Sequence, residues 1–275
     1  MKQMLDGIKV LDFTATVAGA GAAAMLADYG ASVLKIEPPG GDPLRAMSPR
    51  MEGVSLTHCW FNRGKQSLVL DFRRAEEVET ARSLMEKADV VIEDSRPGTM
   101  ARWGLDYEHA AARNPGLIYC AVTWFGQKGP YSRKAGNDLM AQAMSGVMEI
   151  TGEQDGPPEK HGTPVGDYAA SQSAYSSIVA ALCWRRKSGL GQFVDVAVMR
   201  ILVWLNSAVD RINVNVAPLT IVNPLSAKKA VAGRTPIAKT TRSALMRLPP
   251  AITPSARSVP VTALSGVFVN TRIPA

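Results

Sequence analysis

The chain has 275 residues, 46% of them apolar and 20% charged, which suits a globular protein and excludes a low-complexity or disordered one. No apolar run approaches the roughly 20 residues that a bilayer span needs, and Met1 to Lys9 lacks a hydrophobic signal core, so a cytoplasmic chain without a membrane partner is expected. The formal net charge of +7 raises nucleic acid as a partner, but the charge is confined to one end of the chain, as described below.

In chain order, short apolar runs alternate with helical patterns. Strands are expected over Ile8–Phe13, Ser32–Ile36, Ser67–Asp71, Val90–Glu93, Leu117–Thr123 and Phe193–Val198. Helices are expected over Ala20–Tyr29, Ala75–Ala88, Asp106–Arg113, Asp138–Met148 and Tyr168–Lys187. Such alternation builds right-handed βαβ crossovers and a mainly parallel sheet covered on both faces, an α/β, Rossmann-like fold. Gly19-Ala-Gly21-Ala-Ala-Ala24 fits G-x-G-x-x-A, with Glu37 ending the next strand. However, Thr14 to Ala18 separate it from the preceding strand, which a dinucleotide-binding turn does not allow. A close-packed helix is the expected role. Cys59, Cys120 and Cys183 are far apart, as are His58, His109 and His161, so buried free thiols and no metal site are expected.

The helix from Tyr168 is marked by Ala170, Ala174, Ile178, Ala181 and Leu182 at helical spacing, with Arg185, Arg186 and Lys187 in its last turn. Asp167 stands before it, at the end of Gly162-Thr-Pro-Val-Gly-Asp167. Read alone, Asp167 is a helix cap. A carboxylate there is expected to stay ionised at neutral pH, because the helix dipole favours negative charge, and that state suits a nucleophile.

Asp210 is the last acidic residue. Residues 1–210 hold 22 basic and 24 acidic side chains, a net charge of −2, whereas residues 211–275 hold nine basic and none acidic. The same stretch carries eight of the 18 prolines and one aromatic residue, Phe268. It contains no dense Lys/Arg block and no stacking aromatics, so nucleic acid is not an expected partner. Residues 1–205 are read as the folded domain. Residues 206–275 are read as an aberrant basic, Pro-rich and disordered tail, as truncation or translation in a shifted frame would produce, with a Pro-rich structural extension as the competing reading.

The words of the chain resemble the class III CoA-transferases, the CaiB/BaiF family that includes formyl-CoA transferase. In order they are Leu5-Asp-Gly-Ile-Lys-Val-Leu-Asp-Phe13, Leu26-Ala-Asp-Tyr-Gly-Ala-Ser-Val-Leu-Lys-Ile-Glu37, Asn62-Arg-Gly-Lys-Gln-Ser-Leu68, Ala88-Asp-Val-Val-Ile-Glu93 and Arg96-Pro-Gly98. They continue with Asn114-Pro-Gly-Leu-Ile-Tyr119, Phe125-Gly-Gln-Lys-Gly-Pro-Tyr131, Thr151-Gly152, Asp155-Gly-Pro-Pro158 and Gly191-Gln-Phe-Val-Asp-Val196.

The resemblance implies transfer of CoA from an acyl-CoA to a carboxylic acid, with CoA entering as a thioester substrate and no metal or redox cofactor. It implies Asp167 as the nucleophile, Val17 beside the reacting thioester, Ser95 and Arg102 along the CoA channel, and Lys134 as a further phosphate contact. It also implies a homodimer, a small second domain and a glycine-rich loop over the nucleophile; no sign of the last two appears after Val198. Many members have Asn-Phe where this chain has Asp94-Ser95, and an acid near CoA phosphates would be unhelpful. Racemases of the family carry a catalytic His where this chain has Asn137, which argues against proton abstraction. A racemase and a catalytically dead CoA-binding fragment are the alternatives.

Overall fold

A computed structural model describes residues 3–153 and 156–207. All but the first two residues of the expected tail lie outside the described residues. In chain order the elements are β1 (Lys9–Asp12), α1 (Val17–Asp28), β2 (Ser32–Glu37), a hairpin of β3 (Arg50–Met51) and β4 (Val54–Ser55), α2 (Leu56–Phe61), β5 (Lys65–Val69), α3 (Ala75–Glu86), β6 (Val90–Glu93), α4 (Tyr107–Arg113), β7 (Ile118–Thr123), α5 (Asp138–Met144), α6 (Val165–Ser188), β8 (Phe193–Ala197) and α7 (Val198–Asn206). Helix α7 spans the domain boundary expected at residue 205.

Six strands form one sheet in the order β5-β2-β1-β6-β7-β8, and every neighbouring pair is parallel. The expected α/β class is therefore correct. Strands β6 and β7 are buried at every position, as strands of a sheet covered on both faces must be. One core, with Val10, Ile92, Ile118 and Val194, lies against α1, α6 and α7. The other, with Leu11, Val91, Leu117 and Tyr119, lies against α3 and α4. The order of strand addition across the sheet reverses between β1 and β6, and that reversal opens a crevice at the strands' C-terminal ends.

Several element ends differ from expectation for identifiable reasons. Helix α1 starts at Val17, three residues early, because a distant carboxylate caps it, as shown below. Helix α5 stops at Met144 because Gly146 takes a left-handed conformation with φ 79°, and a 3-10 turn, Val147–Ile150, completes the stretch. Helix α2, the two-residue strands β3 and β4, and α7 were not expected.

Val17 to Ala24 are all buried, since α1 lies between the sheet and α6. A Cβ placed on Gly21 would stand 2.5 Å from Ser171 Oγ of α6. The Gly19–Ala24 stretch is thus a packing device inside a helix. Gly191 does similar work before β8, where a Cβ would lie 1.9 Å from the Leu117 carbonyl oxygen. All three cysteines are free, but only Cys120 is buried; Cys59 and Cys183 lie on outward faces of α2 and α6, contrary to expectation.

Candidate active site

Asp167 is the third residue of α6, which starts at Val165, and its side chain makes no cap. The cap comes from elsewhere. Asp138 Oδ1, at the start of α5, accepts from the backbone N–H groups of Gly166 at 2.7 Å and Asp167 at 3.2 Å. Gly166 has no room for a side chain, because a Cβ would lie 2.7 Å from that same oxygen. The other Asp138 oxygen accepts from Gln142 Nε2, and Gln142 Oε1 accepts from the His161 N–H at 2.8 Å. This chain of bonds fixes the approach loop against α5.

The Asp167 carboxylate is thereby left free of structural duty. Its Oδ1 is buried and has no hydrogen-bond partner among the described residues. Burial, then the charges of Asp138 and Asp94, push its pKa up from 3.8 to about 7. That overturns the expectation of a fully ionised group: the helix dipole favours the anion, but desolvation and two neighbouring carboxylates outweigh it. Near neutral pH the group sits at its midpoint.

Val17 is brought close to Asp167 through Ser171. The Ser171 hydroxyl lies 3.0 Å from the Asp167 carbonyl, 2.8 Å from that of Ala18 and 3.3 Å from that of Val17. The Val17 side chain is buried with Ala20, Leu44 and Phe61, and Phe61 stacks on Tyr168 at 6.0 Å.

Of the clefts that open around the residues following β6, two are lined by Ser95. The larger, about 430 Å³, is walled by Phe13, Phe72 and Trp103, with Arg73 and Ser95 at its lining. The smaller, about 210 Å³, brings Ser95 and Lys134 together with Asp94, Arg96, Thr123 and Trp124. Lys134 also stands over the Tyr131 ring at 4.5 Å. Arg102 lies outside both linings, exposed, with its guanidinium 5.7 Å from the Trp103 ring centroid. Asn137 caps α5, its side-chain oxygen accepting from the Met140 N–H at 2.8 Å, and offers no base.

A buried ionic cluster lies under this floor, and sequence reasoning missed it. Lys65 Nζ donates to Asp12 Oδ2 at 2.7 Å, the Ala20 carbonyl at 2.9 Å and Asn62 Oδ1 at 3.0 Å. Lys35 Nζ donates to the Thr14 carbonyl at 2.7 Å and pairs with Asp42 at 2.9 Å and Asp12 at 3.7 Å. Burial alone would raise the Asp12 pKa, but Lys65 and Lys35 hold it below the ordinary value. A lysine inside the apolar run of β2 was the available signal, since a buried cation demands partners.

Among the described residues no group of three or more His, Cys, Asp and Glu side chains is placed to hold a metal, and no helix is long and apolar enough to cross a membrane.

Residues 5–210 match the family described as CoA-transferase family III. The chain is 44% identical over 206 residues to succinate–glutarate CoA-transferase of Agrobacterium fabrum, covering 72% of this chain and 52% of that one. It is 39% identical over 193 residues to human succinyl-CoA:glutarate CoA-transferase, covering 70% and 44%. The crystal structure of a CaiB/BaiF family protein from Brucella suis superposes with a TM-score of 0.73 at 39% identity, covering 76% of this chain and 56% of that one. The chain thus spans about half the length of the curated relatives it matches.

Proposed function

Taking as premise that the chain belongs to CoA-transferase family III, we propose that it moves CoA from an acyl-CoA to a carboxylic acid, with Asp167 as the covalent nucleophile. The observation that carries this reading is the carboxylate itself, whose buried Oδ1 has no partner, while its capping duty is done by Asp138. An oxygen with no hydrogen bond to break is ready to attack.

The steps balance without water or an external proton donor. The Asp167 carboxylate attacks the thioester carbonyl, expelling CoA thiolate and forming an acyl–aspartyl anhydride. The thiolate then attacks the aspartyl carbonyl, giving an aspartyl–CoA thioester and releasing the donor acid. The acceptor carboxylate attacks that thioester and expels the thiolate, which takes the acceptor's acyl group from the second anhydride and restores Asp167. Each step exchanges bonds of nearly equal energy, so splitting the transfer avoids one high barrier.

CoA enters as substrate. The larger cleft offers the aromatic walls that a purine stacks on, and Ser95 joins it to the smaller cleft, where Arg96 and Lys134 supply cations for phosphates. Arg102 is assigned to the outer rim. Asn137, spent on its own helix, disfavours the racemase alternative. The names of the two relatives above point to dicarboxylic acids as donor and acceptor, and the family resemblance to a homodimer as the working unit.

The test is isotope exchange. The purified chain is expected to move label from radioactive succinate into succinyl-CoA without net hydrolysis, and Asp167→Ala to reduce exchange to background. Exchange that survives in Asp167→Ala, or label that appears only with hydrolysis, would refute the assignment.

A further inference from the structure

Asp94 follows β6, the strand at which the order of strand addition across the parallel sheet reverses. It was expected to face substrate phosphates, where an acid would be unhelpful. Instead its half-buried carboxylate turns back onto the loop after β1. It accepts from the Ala15 N–H at 2.9 and 3.0 Å, the Thr16 N–H at 2.7 Å and the Thr16 hydroxyl at 2.6 Å. Thr16 is the N-cap residue of α1 and makes no side-chain cap of its own, so Asp94 serves as that helix's cap across 78 residues of chain. A Cβ on Gly19 would come within 3.1 Å of Asp94 Oδ2. The helix Asp94 caps is the one whose first carbonyls, Val17 and Ala18, face the Ser171 hydroxyl one turn after Asp167.

The two helices that form the site are thus each capped by a carboxylate from another element, α1 by Asp94 and α6 by Asp138. We propose that Asp94 is a positioning residue for Asp167: it fixes the turn on which α1 and the Ser171 contact depend, and it sets a second carboxylate against the one that reacts. Its importance for catalysis rests on the reading of Asp167 as the nucleophile.

The charged and titratable groups that face Asp94 are Asp12 on β1, Lys35 on β2, Glu93 on β6 and Asp167 on α6. Lys35 spends its ammonium on Asp42 and Thr14, so Asp94 has no ion-pair partner among the described residues. Burial, set against the bonds from Thr16 and Ala15, leaves its pKa raised from 3.8 to about 6. Between pH 6 and 7 Asp94 is charged while Asp167 is still taking on its own charge, which like-charge repulsion delays.

Asp94→Asn keeps the shape and one acceptor oxygen but removes the charge. Carbon-13 titration of the side-chain carboxyls, with the Asp167 signal identified by its absence in Asp167→Asn, reads the effect. The Asp167 midpoint is expected to fall in Asp94→Asn, because one of the two carboxylates that raise it is gone. In the unsubstituted chain the Asp167 curve is expected to be biphasic, with a step at the Asp94 midpoint. An unmoved midpoint in Asp94→Asn overturns the proposal. Should that variant fail to fold, a single-step Asp167 curve in the unsubstituted chain overturns it equally. The titration does not depend on turnover. A lowered midpoint with no CoA exchange would fault the assigned chemistry, whereas exchange with an unmoved midpoint would fault the role of Asp94.

Discussion

Lys65→Met is expected to destabilise the fold by about 3–5 kcal/mol, because it strands a buried carboxylate. Asp12 is fully buried, and Lys65 is its close partner at 2.7 Å, with Lys35 farther off at 3.7 Å. The cluster of Asp12, Asp42, Lys35 and Lys65 is balanced, two charges against two. Removing one cation leaves an excess anion in a medium that solvates it poorly. The Ala20 carbonyl and Asn62 Oδ1 lose their donor in the same step. Methionine keeps the length and apolar stem of the side chain, so the change is chiefly electrostatic. Asp12→Asn in the same chain should recover part of the loss, and the double-mutant cycle isolates the pair. Urea denaturation measures both. A loss below about 1 kcal/mol for Lys65→Met would show that the pair contributes little, as exposed pairs do.

The second large effect depends on pH. A carboxyl whose folded pKa exceeds its unfolded value binds its proton more tightly when folded, so its contribution to stability falls as pH rises through the window between the two. For Asp167 that window runs from 3.8 to about 7. Asp167→Asn cannot ionise and escapes the decline. The variant should match the unsubstituted chain near pH 4, gain steadily above it, and end on the order of 3–4 kcal/mol more stable at pH 8. Asp94, with a window from 3.8 to about 6, and Glu93, from 4.5 to about 8, lower the stability of both chains with rising pH and largely cancel in the difference. Glu37 runs the opposite way: held by Arg45 and Ser67 at a pKa of about 2, it destabilises both chains only below about pH 4.5. Denaturation of both chains at pH 5 and pH 8 decides the matter. An equal stability difference at the two values would mean that Asp167 is not strained by its surroundings.

A carboxyl group that strains the fold when ionised, and whose Oδ1 has no hydrogen-bond partner among the described residues, is what the proposed nucleophile would look like. Stability is given up at functional sites in this way, and the pKa follows from the same burial that shields the reacting centre.

Whatever repeats with a regular period could be read from the residues. The period-3.6 pattern of Ala170, Ala174, Ile178 and Ala181 located α6, and all four side chains are buried. The apolar runs of β6 and β7 located the middle of the sheet. Elements too short to repeat their period twice gave no such signal, which is why α2, at six residues, and the β3–β4 hairpin went unread. Within the site, Asp167 was visible as a carboxylate at a helix start, but its local reading as a cap was wrong. The true cap, Asp138, lies 28 residues before Gly166, and that of α1, Asp94, lies 78 residues after Thr16. Propensity near a helix end cannot reveal a partner that only the fold brings there. The charge state of Asp167 was misjudged for the same reason, since the dipole is a local property and the opposing burial and carboxylates are not.

The reading of Asp167 is tested most directly by mass spectrometry of the chain after brief incubation with succinyl-CoA. A CoA adduct is expected on the peptide containing Asp167, labile to hydroxylamine, forming faster as pH rises through about 7 and absent from Asp167→Ala. An adduct of undiminished yield in Asp167→Ala, or one mapped to another residue, would contradict the assignment.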